Sequence, residues 1–294
     1  ILIKYDIIHA FHVFKSLCRI RPFLVNLDKK IVVSFTGTDL KQLQDTNKNK
    51  IEIIDFLNTL EAVIVFHNED REELIREGIF DKKIKIIPQA VMPMLQKSKG
   101  RRHSIVNGSF SPNVTFLFAS GMRKVKSPLE MLELMSGLEK KEKNIQLVLI
   151  GPILEKELEA KISEKIKGKK WIKYLGEVSH QEVQEHILAA DIIINTSSSE
   201  GMPNTLLEAH QMGKPVLATD IAGNRAVVTH GVDGFLFKEK DEFEYYATKL
   251  VENKKLRMKM GLSGMEMRKK YNWEQEVDQY EQVYQNQARY RRRF

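Results

Sequence analysis

The chain carries a single cysteine, Cys18, so no internal disulfide can brace it and a buried core has to hold the fold. No apolar run approaches the ~20 residues that a helix needs to cross a bilayer, and no spanning helix is expected. Nor does any Gly-x4-Gly-Lys-Ser/Thr stretch occur, which argues against a P-loop nucleotide hydrolase. No Ser-His-Asp or Cys-His set stands in a convincing context, and Cys18, on an expected helix, reads as a core residue. His9 and His12 are spaced to share a metal on one face, but no further ligand set accompanies them, so no metal site is predicted. Internal repeats and low-complexity tracts are also missing.

What is present suits a globular protein of one large or two medium domains. Hydrophobic residues make up 42% of the 294 and charged residues 29%, enough for a sizeable core under a solvated surface. A formal charge of +8 favours an anionic partner: a nucleotide, acidic lipid headgroups or nucleic acid. The basic clusters at 97–102, 165–173, 254–259 and 289–293 are scattered, and none is interleaved with aromatics as a single-strand platform would be. Nucleic acid is therefore not expected. Each cluster taken alone also reads as plain solvated surface, and peripheral contact with a membrane stays open. The first residue is Ile1 and no signal-peptide pattern is seen, so the expectation is a cytoplasmic protein, or one at the inner face of a membrane, lacking its true N-terminus.

Short β-branched runs alternate with helical stretches along most of the chain. Strands are predicted at 6–10, 30–35, 61–66 and 84–88, with helices near 12–20, 51–60 and 69–77 and Asn68 as an N-cap. Turn formers and a basic run then interrupt the pattern. Alternation resumes with strands at 114–119, 145–150, 171–175, 191–195, 215–218 and 234–237 and helices at 128–140, 153–167, 180–190, 203–213 and 241–253. Near-continuous apolar strands alternating with helices predict an α/β protein whose parallel sheets are covered on both faces. The domain reading is a partial N-terminal unit at 1–95, a linker at 96–112, a second unit at 113–270 and a C-terminal helix at 271–294 that packs back on the first. Trp273, Val277, Tyr280, Val283 and Tyr284 form the apolar stripe of that charged tail, which begins near 255.

The stretch SSSEGMPNTLLEA, 197–209, holds the strongest chemical signal. Its loop follows a parallel strand, where open α/β sheets bind ligands. Pro203 suits a first helical turn and Asn204 is a candidate cap. Backbone N–H groups from Gly201 to Thr205 would then point at an anion such as a diphosphate. Two acids flank that site, Glu200 before it and Glu208 inside the helix. A carboxylate accepts two hydrogen bonds from a vicinal diol, so a sugar and a ribose on either side of a diphosphate would occupy both. The plain alternative is a helix with one acid before its start and another within it.

This segment resembles the retaining glycosyltransferases of the GT-B type, family 4, or glycosyl transferases group 1. FASGMRKVKSPLEML (118–132), NIQLVLIGP (144–152), WIKYLGEVSHQEV (171–183) and KPVLATDIAGNRAVVTHGVDGFLF (214–237) resemble family segments in family order. DIIHAFHVFKS (6–16) and VVSFTGTDL (32–40) are similar to strand ends of the family's acceptor-side domain. GMRKVKSP and NTSSSEGM also resemble the glycosyltransferase-1-domain-containing proteins of animals, and VVSFTGTDL faintly resembles selenosugar synthases.

The resemblance implies two Rossmann-like doubly wound domains facing a cleft, the first incomplete here. It implies a hexosyltransferase-type enzyme that moves a sugar from a nucleotide donor to an acceptor hydroxyl with retained configuration. No cofactor or metal would be required. The donor would be a UDP-sugar, with GDP- and ADP-sugars as alternatives, and the acceptor a glycan, a lipid-linked sugar or a small molecule.

Carried over residue by residue, the resemblance gives Glu200 the hydroxyls of the transferred sugar and Glu208 the ribose diol. Backbone N–H groups of Gly201, Met202, Pro203's neighbours, Asn204 and Thr205 would hold sugar and diphosphate. Gly121 lies in the turn that carries Arg123 and Lys126, which would pair with the phosphates, with Lys124 competing with Lys126. Gly176, Glu177 and Val178 would lie near the base, although Ser179 capping an ordinary helix explains that turn equally well. On the acceptor side stand His12 and Lys15, with His9, Gly37, Thr38 and Asp39 behind them; for His9 a structural role is the alternative. Two rival functions stay open: a GT-B nucleotide-sugar 2-epimerase, and a non-catalytic nucleotide-sugar-binding subunit.

Overall fold

The computed structural model describes residues 6–24, 29–46, 49–92 and 113–288. Residues up to Ala90, Ser199–Met202 and those from Tyr271 onward form one compact unit, and Val91–Ser198 with Pro203–Lys270 form the second. The 96–112 stretch read as a linker lies outside the described residues, as do the basic clusters 97–102 and 289–293.

In the first unit four strands, β1 (Ile7–Phe11), β2 (Lys30–Ser34), β3 (Ala62–Val65) and β4 (Ile84–Ile86), lie side by side in that order. Every pairing is parallel. Successive side chains alternate between faces, and both faces are apolar because both are covered. Val33, Val63 and Val65 join Leu17, Leu43 and Leu57 in one layer. Val32, Ala62 and Ile64 form the opposite layer with Ile87, against which Tyr280 and Val283 of the helix Trp273–Ala288 pack. Full burial of each such aliphatic side chain stabilises by about 1.5–3 kcal/mol.

Six strands make the second sheet: β5 (Val114–Ala119), β6 (Ile145–Ile150), β7 (Ile172–Tyr174), β8 (Ile192–Asn195), β9 (Val216–Thr219) and β10 (Gly234–Phe237). Their spatial order is β10-β9-β8-β5-β6-β7, all parallel. Phe116, Phe118, Leu147, Leu149, Ile192 and Ile194 meet Met131, Met135 and Leu138 of helix Pro128–Lys141 and Phe243 of helix Lys240–Glu252.

Four local expectations are corrected. His67, not Asn68, caps helix Asn68–Arg76, its Nδ1 accepting the Asp70 N–H at 3.3 Å. Thr38 and Asp39, which fall outside every predicted strand and helix, open a helix, Thr38–Asp45. The charged tail is two helices, Lys254–Met267 in the second unit and Trp273–Ala288 in the first, separated by a short turn. Val277, placed on the apolar stripe by its spacing, is 45% exposed.

Candidate functional site

β5 and β8 are neighbours although β6 and β7 lie between them in the chain, so the winding of the sheet reverses between them. Loops that leave two such strands diverge, and the crevice they open is where doubly wound sheets bind ligands. Here the two loops are tied together within the second unit. The Thr196 hydroxyl donates to the Lys126 carbonyl at 3.0 Å and the Ser198 N–H to the Val125 carbonyl at 2.8 Å. Behind them Asn195 Oδ1 accepts the Ser197 N–H at 2.9 Å, and the Thr219 hydroxyl donates to the Ser197 carbonyl at 2.6 Å. These bonds hold the turn that carries Arg123 and Lys126 beside the loop from β8.

A third loop closes on the same turn. Gly151, after β6, has φ +126°, and a Cβ there would lie 2.0 Å from the Ser120 carbonyl oxygen, so only glycine fits. The Gly151 N–H donates to the Gly176 carbonyl at 2.7 Å, which brings the loop of Gly176, Glu177 and Val178 into the group. Gly121 faces Leu154, whose Cδ1 a Cβ would approach to 2.8 Å. Ser179 caps the helix His180–Ala189 in a reciprocal arrangement with Glu182, as expected for an ordinary helix start.

Arg123 has its Nε buried without a hydrogen-bond partner. A buried N–H of a guanidinium left without an acceptor costs free energy, and an anionic ligand would relieve it. Lys126 ends the same turn, half-buried. Its competitor Lys124 is exposed and engaged, with Nζ 2.6 Å from Glu157, so its charge is spent on the surface.

Helix Asn204–Gln211 begins at Pro203, which occupies the cap position with no side-chain acceptor. Asn204 is thus the first helical residue and does not cap. The Thr205 hydroxyl is committed to the Ala119 carbonyl at 3.1 Å, leaving its backbone N–H as what it could offer a ligand. Met202 and Pro203 are buried, while Asn204 is exposed. Glu208, 7% exposed, sits one turn in. Burial pushes its carboxyl above the usual range, and His180 draws it partly back, the ring Nε2 lying 3.5 Å from Oε1. His180 was not singled out by sequence. Its only signal was its place just after the expected cap Ser179.

In the first unit, Ser199–Met202 lie against the loop after β2: the Ser199 hydroxyl donates to the Gly37 carbonyl at 2.7 Å. Gly37 has φ +99°, and a Cβ there would stand 2.4 Å from the Gly201 nitrogen. Glu200 in this segment is half-buried. His9 is engaged inside the unit, with Nδ1 2.6 Å from the Tyr284 hydroxyl and Nε2 2.9 Å from the Ser34 hydroxyl. Burial lowers its pKa to about 4, so a neutral ring serves as a strut between β1 and the C-terminal helix. His12 is buried and paired with the fully buried Asp39, and Lys15 is exposed. Among the described residues no group of three or more His, Cys, Asp or Glu is arranged to hold a metal ion. No described helix is long and apolar enough to cross a membrane.

Residues 101–267 match the model of the family Glycosyl transferases group 1, more than half the chain. The chain belongs to that family and is a glycosyltransferase of the α/β GT-B fold class. It is 27% identical over 259 residues to "Glycosyltransferase 1 domain-containing protein 1" of Xenopus tropicalis, a match covering 86% of this chain and 75% of that protein. Among solved structures it is similar to HepE of Anabaena in complex with UDP-glucose, with a TM-score of 0.78, 17% identity, and 97% and 79% of the two chains covered. TarM of S. aureus, in a complex with UDP and alpha-GlcNAc-glycerol, gives a TM-score of 0.74 at 19% identity over 90% of this chain. The chain spans about half of TarM, 53%.

Proposed function

We propose that the chain transfers a sugar from a UDP-sugar to an acceptor hydroxyl with retained configuration and without a metal ion. One observation carries the reading: the buried, unpartnered Nε of Arg123 at the point where the second sheet reverses. Arg123 and Lys126 would take the diphosphate, whose charge grows as it departs. Cations already fixed there stabilise it without reorganisation. The uncapped start of helix Asn204–Gln211 would add backbone N–H groups, and buried Glu208 would accept the ribose diol. Glu200 is assigned the hydroxyls of the transferred sugar, and Gly176, Glu177 and Val178 the base.

In a same-face transfer the C1–O bond to the diphosphate breaks and the C1–O bond to the acceptor forms on that face. The acceptor's proton passes to the departing phosphate oxygen. The protein then needs no nucleophile of its own; its part is to align the reactants and hold the charge. A uridine donor is favoured because HepE and TarM, the structures of similar fold, were solved with UDP-glucose and UDP.

The test is calorimetric titration of the chain with UDP, GDP and ADP in metal-free buffer, beside Glu208→Ala. UDP should bind in the micromolar range and the variant ~10-fold or more weakly, the loss of a charged hydrogen bond of about 1.5–3 kcal/mol. Failure of all three nucleotides to bind a folded chain would sink the reading.

A further inference from the structure

Asp39 has no exposed surface, yet its carboxylate is crowded with donors. Oδ1 accepts the Val13 N–H at 2.7 Å and lies 2.5 Å from His12 Nδ1; Oδ2 accepts the Thr36 N–H at 2.6 Å and the Thr36 hydroxyl at 3.0 Å. The backbone bonds alone would make Asp39 a staple between the loop after β2 and the turn after β1. They do not account for the imidazole. At 2.5 Å a proton has to lie between Nδ1 and the carboxylate, so Nδ1 has no lone pair left for the Lys15 N–H, which sits at 3.3 Å. With Nδ1 protonated, a neutral ring presents Nε2 as an acceptor. That nitrogen faces the Thr38 hydroxyl at 3.2 Å, a rotatable group that a substrate hydroxyl could replace.

The backbone of His12 makes the arrangement unusual. Its φ is +77°, in the region that side chains with a Cβ rarely adopt, and such strain persists only where surrounding bonds over-determine it. Its own N–H donates to Ser34 at 3.0 Å, and its carbonyl accepts the Ser16 N–H at 3.2 Å. Burial lowers the pKa of the ring, which Asp39 opposes and Lys15 assists.

We propose that Asp39 is a positioning residue for His12. It fixes the imidazole as the Nδ1–H tautomer, so that Nε2 accepts a hydrogen bond from a hydroxyl of the reacting sugars in the place Thr38 occupies here. The identity of that hydroxyl rests on the glycosyltransferase reading; the tautomer does not. His12 orients the hydroxyl and keeps no proton, because the proton leaves with the phosphate oxygen.

Long-range 1H–15N spectra of the 15N-labelled full chain read the tautomer directly, with His12 assigned by its loss in His12→Gln. Wild type should show a protonated Nδ1 and a bare Nε2. Asp39→Asn, whose carboxamide offers an N–H to Nδ1, should reverse or mix the two. A wild-type ring protonated on Nε2, or a spectrum unchanged in Asp39→Asn, overturns the proposal. Should Asp39→Asn fail to fold, Thr38→Val takes its place: it leaves the pair with Asp39 intact and should keep the Nδ1–H tautomer, and a switch there overturns it equally.

UDP release from UDP-glucose gives a second readout. Asp39→Asn should lower kcat roughly 10- to 100-fold with KM within about twofold, and should cost nothing more in a His12→Gln background. Additive losses would mean that Asp39 acts independently of His12. If wild type releases no UDP, that counts against the donor reading, and the spectra decide on Asp39 alone.

Discussion

At the carboxyl ends of β1 and β2 the polar side chains close on one another: His9 on Tyr284 and Ser34, His12 on Asp39. At the carboxyl ends of β5 and β8 groups are left over. Arg123 keeps a buried Nε without a partner, helix Asn204–Gln211 starts without a side-chain cap, and buried Glu208 faces a histidine ring nitrogen at 3.5 Å. Both sheets are parallel and built from the same kinds of run, so the difference lies in the loops. A site for a diphosphate must hold unsatisfied donors in readiness, because the ligand brings the acceptors. A site that orients a hydroxyl needs one well-aimed acceptor, and internal bonds are how that aim is kept.

The sharpest way to break the comparison is at Arg123. If its orphan nitrogen exists for a phosphate, Arg123→Ala should weaken UDP binding by roughly 100-fold, near the upper range for a hydrogen bond to a charged group. Thermal stability should hold or rise slightly, since a buried unsatisfied group is removed. Lys124→Ala should stay within about twofold of wild type, because that ammonium is exposed and paired with Glu157. Calorimetry on the two variants checks both, and equal effects would erase the distinction between the open and the engaged cation.

The elements were legible where burial on both faces forces long apolar runs: each of the ten strands lies within two residues of its predicted bounds. Helix Thr38–Asp45 was not, because TDLKQLQD has only two apolar positions and begins at a glycine with positive φ. The Asn68 expectation missed by one position since His67, seldom a cap, supplies a ring nitrogen in place of a side-chain oxygen. The residues proposed for a diphosphate could be placed from sequence after particular strands, since a strand end and a helix start localise them. That Lys124 is paired with Glu157 could not be read, because Glu157 is far along the chain from it. The same holds for His12 with Asp39 and for His180 with Glu208: pairings across 27 and 28 positions depend on tertiary packing.

Acid should separate the units next, most strongly through one histidine in each. His9 and His210 both have folded pKa values of about 4, lowered first by burial, against 6.5 for the free side chain. In the unfolded chain each ring therefore takes its proton first. Their stabilising contributions are full above pH 6.5 and are lost as pH falls from 6.5 toward 4. The rings differ in what holds them, since His210 makes no side-chain hydrogen bond and has its Nε2 3.7 Å from Asp233 Oδ1, whereas the nitrogens of His9 have Tyr284 and Ser34. The chain has two tryptophans, Trp171 in the second unit and Trp273 in the first, so Trp273→Phe and Trp171→Phe leave one fluorescent reporter in each. Urea unfolding at pH 7 and pH 5 should show His210→Gln flattening the acid loss seen by Trp171 and leaving that seen by Trp273. A change in both signals would mean the units unfold as one.

The smallest effect should come from Tyr284→Phe. It removes the hydroxyl 2.6 Å from His9 Nδ1 and leaves the ring, which lies 5.8 Å from the His9 ring in an edge-on contact. A neutral hydrogen bond is worth about 1 kcal/mol net, and leaving a half-buried imidazole nitrogen unpaired adds at most a little more. Urea unfolding followed at Trp273 should therefore register a loss near ~1 kcal/mol, while UDP affinity stays unchanged. That pairing of outcomes is what a strut predicts. If UDP affinity or UDP release fell instead with stability intact, His9 would belong with the reacting groups, and the first unit would be as open toward its substrate as the second.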